Sequence, residues 1–283
     1  MKPLLSYITP CNIASFILVF FCIQYIPLES RDSISYLKLA VSALCPFIIL
    51  VYSPKVGKTM LLFLTYYITV IIAAVMHPAS LRWSTVIFMA TFIVTFLAFY
   101  NLVVIEHIFT KNYYRRLLEK LIIAYTIVLI IQQCFIIVGI RTFPLINLVQ
   151  FLDRGIGANS LTYEPSSAAV ILSFAMLSLI RMIELDYGRK LSAKEIFTES
   201  KWPTLGFLWC MLSMGSGSAF IGLGILLCYF IRPRYYLSAI LLITVAYVAI
   251  MHIEFVPLQR ARDSFLAFLT LDNKIVAQAD GSA

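Results

Sequence analysis

The residues best equipped for chemistry lie between positions 141 and 166, in the stretch RTFPLINLVQFLDRGIGANSLTYEPS. Arg154 stands beside Asp153, with Gly155 and Gly157 just after it, and its planar guanidinium is a fork matched to phosphate oxygens. A salt bridge to Asp153 or Glu164 is the plain structural alternative. Glu164 precedes Pro165, and Pro suits the first position of a helix, so Glu164 is expected at the helix cap. A carboxylate is favoured there by the helix dipole and needs no further role. It also sits where an apolar run begins, a depth at which ionisable groups are often functional.

A second candidate is Met214-Gly215-Ser216-Gly217-Ser218. Glycine reaches positive φ freely and serine bonds its own backbone, so these residues predict a tight turn inside the apolar block 203–231. Hydroxyls and free N–H groups in such a turn can face an anionic or sugar ligand. Ser218 and Gly222 also form a small-xxx-small pair, which by itself reads as helix packing. Arg260 and Arg262 follow the last apolar run and are candidates on topology alone. His77, His107 and His252 fall near expected helix ends. The six cysteines show no CxxC spacing and read as small apolar side chains, neither disulfides nor metal ligands. No Walker loop, HExxH, GxSxG or dinucleotide fingerprint occurs. No cofactor or metal is expected.

The elements that must position these residues are apolar. Of 283 residues, 61% are hydrophobic and 13% charged, with a mean hydropathy of +0.92. An ordinary soluble domain carries roughly 25% charged residues. A chain this apolar needs lipid as the solvent for its outer face. The expected fold is all-α, a polytopic transmembrane helical bundle in a single domain over 1–283. Spans are expected at 8–28, 36–52, 59–76, 83–105, 121–140, 166–182, 203–214, 218–231 and 235–253, about nine in all at about 20 residues per crossing. Lys2 precedes an apolar run over 13–28 with no A-x-A cleavage site, which predicts a retained first helix.

The formal charge is +8. In a soluble protein it would suggest nucleic acid. Here the basic residues cluster in short loops, as positive-inside topology requires, and no nucleic-acid partner is expected. With a cytoplasmic N-terminus and a hairpin over 203–231, most of the 22 lysines and arginines fall inside. The loop 141–165 and the tail 254–283 then face outward. The tail is expected to open an outer loop that continues past Ala283.

Two motifs and a third partial one resemble a known family. Arg154-x-x-Gly157 followed by Glu164-Pro165-Ser166 resembles the R…G…EPS signature of bacterial O-antigen and capsular-polysaccharide polymerases. The run from Leu212 to Ser218, followed by Ile221-Gly222-Leu223, resembles that family's serine- and glycine-rich turn between two short helices. Asp280-Gly281-Ser282-Ala283 is similar to the start of its D-x-S segment. The likeness covers roughly residues 150–283, and O-antigen ligases share much of it. Family members carry a basic residue beside the second-motif Ser, where this chain has Gly217 and Ser218.

The resemblance implies a GT-C-type membrane glycosyltransferase that polymerises polyprenyl-diphosphate-linked oligosaccharide repeat units, metal-independent, in a bacterial cytoplasmic membrane with its site facing the periplasm. It implies catalytic roles for Arg154 and Glu164, and substrate contacts from Ser166, Ser216, Ser218, Arg260 and Arg262. Its partners would be the lipid-linked donor and acceptor, the bilayer, and a chain-length regulator or flippase. An O-antigen ligase is the near alternative. A transporter or flippase for lipid-linked saccharide is the alternative from another class.

Overall fold

The structure is a computed structural model that describes residues 9–23, 36–55, 57–77, 83–140, 156–231 and 235. Arg154, Arg260, Arg262, the apolar run 235–253 and the tail 254–283 lie outside those residues, Tyr235 excepted. The described residues are helical, with no strand among them. The described residues form nine α-helices, in order: α1 Pro10–Cys22, α2 Tyr36–Tyr52, α3 Lys58–Met76, α4 Trp83–Tyr100, α5 Lys111–Val138, α6 Pro165–Tyr187, α7 Ala193–Glu199, α8 Lys201–Ser213 and α9 Gly217–Phe230. A π-helical turn, Asn101–Ile105, extends α4.

Among the described residues, four stretches are long and apolar enough to cross a membrane: Lys58–Met76, Thr85–Ile105, Lys111–Val138 and Pro165–Tyr187. Helix α3 has no buried residue, and Leu62, Ile72 and Val75 on it are all more than half exposed. In water such a helix would leave an apolar surface far larger than a monomer tolerates; in lipid it is the expected outer wall.

The chain divides into two compact units, Met1–Tyr113 and Tyr114–Ala283. In the first, α1, α2 and α4 pack around a small core of Ile17, Cys45 and Ala98, with α3 against α4 outside it. Thr9 caps α1 by accepting from the Asn12 N–H, and Pro10 opens the helix. The Ser42 and Thr95 hydroxyls join α2 to α4 at 3.0 Å. Where α4 becomes π-helical, the Asn101 amide donates to the carbonyls of Ser53 and Lys55. Glu106 then pairs with Lys55 at 3.0 Å and accepts from Ser53. These two donors hold its carboxyl below the usual range, the Lys55 bond contributing most.

In the second unit, α5, α6, α8 and α9 pack around Leu129, Leu172, Met176, Leu179, Phe207 and Met211, all fully buried. Two close crossings set the packing. Gly206 of α8 lies directly against the Thr126 side chain of α5, and Gly222 of α9 against the Ser173 hydroxyl of α6. Small residues let helices approach in this way. Helix α5 begins ten residues before the expected span. Its first turns, KNYYRRLLEK, are polar and bind Arg115 to Glu119 one turn on, which prolongs the helix past the apolar segment. Helix α7 was not anticipated. Its start is a capping box in which Ser192 and Glu195 each bond the other's backbone N–H.

Candidate functional site

Contacts along the helices of the second unit fix which ends meet. Thr126 touches Cys210, and Gln133, two turns on, bonds Ser213 and Trp209; α5 and α8 therefore run in the same direction. Ser173 meets Gly222 and Glu184 meets Tyr229, so α6 and α9 also run in the same direction. The Gly215 residue, at φ +67°, turns the chain between α8 and α9. The last turns of α5 and α8 and the first turns of α6 and α9 consequently gather at one end of the unit. Glu164, Ser166, Ser216 and Ser218 all lie at that end. They come from two motifs about fifty residues apart in the chain.

The floor of this end is a buried loop. Residues 157–162 are buried although they have no regular structure. A buried loop must have its backbone polar groups satisfied, and Gln132 of α5 supplies much of this. Its amide nitrogen donates to the Ser160 carbonyl at 2.9 Å, and its amide oxygen accepts from the Ser160 N–H at 2.7 Å. Ser160 adopts φ +52°, an uncommon conformation for a residue with a Cβ, and its hydroxyl donates to the Tyr125 carbonyl at 2.7 Å. Thr162 carries the order onward. Asn159 donates to its carbonyl, and its hydroxyl lies 2.9 Å from the Asn159 carbonyl and 2.6 Å from that of Glu164. The start of α6 is thus tied through Thr162 and Ser160 to the middle of α5.

Glu164 occupies the N-cap position and Pro165 the first helical one. The carboxylate, however, bonds no N–H of the helix. It is exposed and accepts from the Ser166 hydroxyl at 3.0 Å. Position is shared with a capping acid, but the capping bond is not made, which leaves the carboxylate available at the surface. Ser216 is the N-cap of α9 and likewise makes no capping bond. The residue is only 6% exposed, and its hydroxyl is not among the buried polar atoms left without a partner, so it keeps contact with the surface. Ser218 is half-buried in the first turn of the same helix. The free N–H groups of two helix starts and their positive dipole ends add to an environment suited to anions.

The opposite end of the unit has a different chemistry. Arg115 reaches Glu119 at 3.0 Å, Glu199 at 3.4 Å and Asp186 at 3.7 Å. Arg189 pairs with Glu195 at 2.6 Å. The Arg189 bond, with the N–H and hydroxyl of Ser192, lowers the Glu195 carboxyl to about 2. Arg181 and the Tyr229 hydroxyl bond the buried Glu184, which also caps the Leu191 N–H. Among the described residues, amides, hydroxyls and the Glu164 carboxylate lie at one end; ion pairs and surplus cations lie at the other.

Of the sequence candidates, Glu164, Ser166, Ser216 and Ser218 are brought to one end, while Arg154, Arg260 and Arg262 are outside the described residues. Gln132, Asn159, Ser160 and Thr162 were missed as site residues. The signal existed for Gln132 and its neighbour Gln133, because two adjacent amides within the run LIIQQCFII are costly in lipid unless they bond something. Comparison with protein families, curated proteins and solved structures finds no match for this chain.

Proposed function

We propose that this chain is a membrane glycosyltransferase that transfers polyprenyl-diphosphate-linked oligosaccharide repeat units onto a growing glycan at the outer face of the cytoplasmic membrane. One observation carries the reading. The two motifs that resemble the polymerase family, Glu164-Pro165-Ser166 and 212–218, open two helices at the same end of one unit, opposite its basic end. The positive-inside rule puts that end outside. About nine spans in a GT-C-type arrangement complete the proposal.

The chemistry follows from the groups present. An acceptor sugar hydroxyl attacks the anomeric carbon of the donor, and the bond from that carbon to the lipid diphosphate breaks with its electron pair. The hydroxyl proton passes to a base, and the exposed Glu164 carboxylate is the candidate. Negative charge grows on the departing diphosphate. Arg154, the Ser216 hydroxyl and the N–H groups that open α6 and α9 are suited to receive it. Ser166 orients Glu164, and Arg260 and Arg262 supply further positive charge to the phosphates. Gln132 and the loop 157–162 keep the carboxylate in place without touching substrate.

Glycan-length analysis after deletion of the gene tests the reading. Loss of long chains with single repeats still attached to their acceptor is the expected result. Loss of all attached glycan would instead identify a ligase. An unchanged glycan profile, with lipid-linked repeats also unchanged, would remove the proposal.

A further inference from the structure

We propose that the end of the second unit formed by the starts of α5 and α8, the end of α6 and α7 is a docking surface for anionic phospholipid headgroups. The proposal rests on these helices lying in a membrane and not on the glycosyl-transfer reading.

The argument is one of charge distribution. Five acids lie at this end: Glu119, Glu184, Asp186, Glu195 and Glu199. Each is already engaged by Arg115, Arg181 or Arg189, at 2.6–3.7 Å. Arg116, Lys120, Lys190, Lys194 and Lys201 remain. All five are exposed, and among the described residues none is paired with a carboxylate. The three arginines offset part of the acidic charge locally, and with the five remaining cations this end holds eight positive groups against five acids, so its surface presents net positive charge.

Two of the cations are steadied by aromatic rings. Lys190 lies 4.5 Å from the centre of the Tyr229 ring and Lys201 5.6 Å from that of Trp202. Trp202 is 71% exposed, and the Tyr187 ring is also exposed. Trp and Tyr are enriched where headgroups meet acyl chains. Arg116 and Lys120 stand one turn apart on α5, at the boundary where its apolar run begins. From there Lys120 can lay its stem along the helix and reach the phosphate layer. Cations and interfacial aromatics at one level of a lipid-facing helix bundle match an anionic lipid, which offers phosphate at that height. A soluble anion would have no use for the aromatics.

The test uses the full chain reconstituted in vesicles, with Trp83→Phe and Trp209→Phe leaving Trp202 as the reporter. Quenching by acyl-brominated phosphatidylglycerol is compared with quenching by brominated phosphatidylcholine. Preference for phosphatidylglycerol is expected, falling about fivefold for each of Lys120→Gln and Lys194→Gln, since a cation near an anionic surface contributes about that factor. High salt should erase the preference in the unsubstituted background, which keeps the test intact if a variant fails to insert. Lys55→Gln with Lys58→Gln, in the other unit, should leave it unchanged. Equal quenching by both lipids, or a preference that survives both substitutions, would overturn the proposal. Competition by soluble inorganic diphosphate as effective as that of lipid would also overturn it.

Discussion

At the scale of single residues, the second unit depends on a few polar groups whose partners are irreplaceable. Gln132 bonds both backbone groups of Ser160, which are buried. Gln132→Leu keeps the volume but leaves a buried N–H and a buried C=O unpaired, at about 1–3 kcal/mol for each group left unsatisfied. The expected result is a lower thermal midpoint in detergent and early proteolytic cleavage near 156–164. Glu164→Gln separates two roles of one side chain. The amide still accepts from Ser166 but cannot take a proton, so normal abundance with shortened polymer is expected. Arg154→Ala should remove roughly 2–4 kcal/mol of transition-state stabilisation, and Arg154→Lys less, because one charge remains without the planar fork. Normal polymer length from Arg154→Ala at normal abundance would take Arg154 out of the mechanism. Disappearance of the Arg154 and Glu164 variants from the membrane would mark both residues as structural. At the other end, Glu195 is lowered to about 2 by Arg189 and Ser192. Its folded value lies below the 4.5 of an ordinary glutamate, so the stability it contributes is present above about pH 4.5 and is lost as pH falls toward 2. Hydrogen exchange across α7 should accelerate through that window, and Arg189→Gln, which raises the folded value, should make the acceleration smaller and complete it at a higher pH.

At the scale of elements, two glycine crossings hold the helices together, and they are not equivalent. An added Cβ at Gly206 meets three atoms of Thr126, its hydroxyl and also Cγ2 at 3.1 Å and Cβ at 3.2 Å. Threonine is branched, so rotation exchanges one collision for another. An added Cβ at Gly222 meets chiefly the Ser173 hydroxyl, which can swing away by giving up its bond to the Ala169 carbonyl, although Ser173 Cβ at 3.3 Å must also yield slightly. Each change from Gly to Ala gains about 1 kcal/mol of helix propensity. Overpacking costs about 1–3 kcal/mol. Gly206→Ala is therefore expected to be clearly destabilising and Gly222→Ala close to neutral. Thermal unfolding of the two variants in the same detergent checks the order, and the reverse order would mean that the α6–α9 contact is the tighter one.

At the scale of the whole molecule, the prediction concerns sidedness. Glu164 and Ser216 lie at the end of the second unit opposite Lys194 and Arg189, so cysteines placed at positions 164 and 216 should react alike with an impermeant reagent. A cysteine at 194 should react oppositely. Labelling from intact cells at 164 and 216, and only after lysis at 194, is expected. The same side for all three positions would break the two-ended arrangement. Labelling of 164 and 216 only after lysis would keep the arrangement and invert it in the membrane.

Much of this was legible in the residues themselves. The apolar runs predicted helices and a lipid environment, because no soluble fold could bury that much apolar surface. Pro165 announced the start of α6, and two glycines and two serines announced the break after Met214. Those are local effects: a fixed φ, a missing Cβ and a hydrophobic run act within a few residues of themselves. Tertiary structure decided which ends meet. The parallel courses of α5 with α8 and of α6 with α9 depend on where Gly206 and Gly222 find Thr126 and Ser173, contacts about fifty to eighty residues apart that no local pattern specifies. The capping bond that Glu164 does not make, the placement of Ser216 beside the start of α6 and the clasp of Gln132 on Ser160 likewise exist only once those helices have packed.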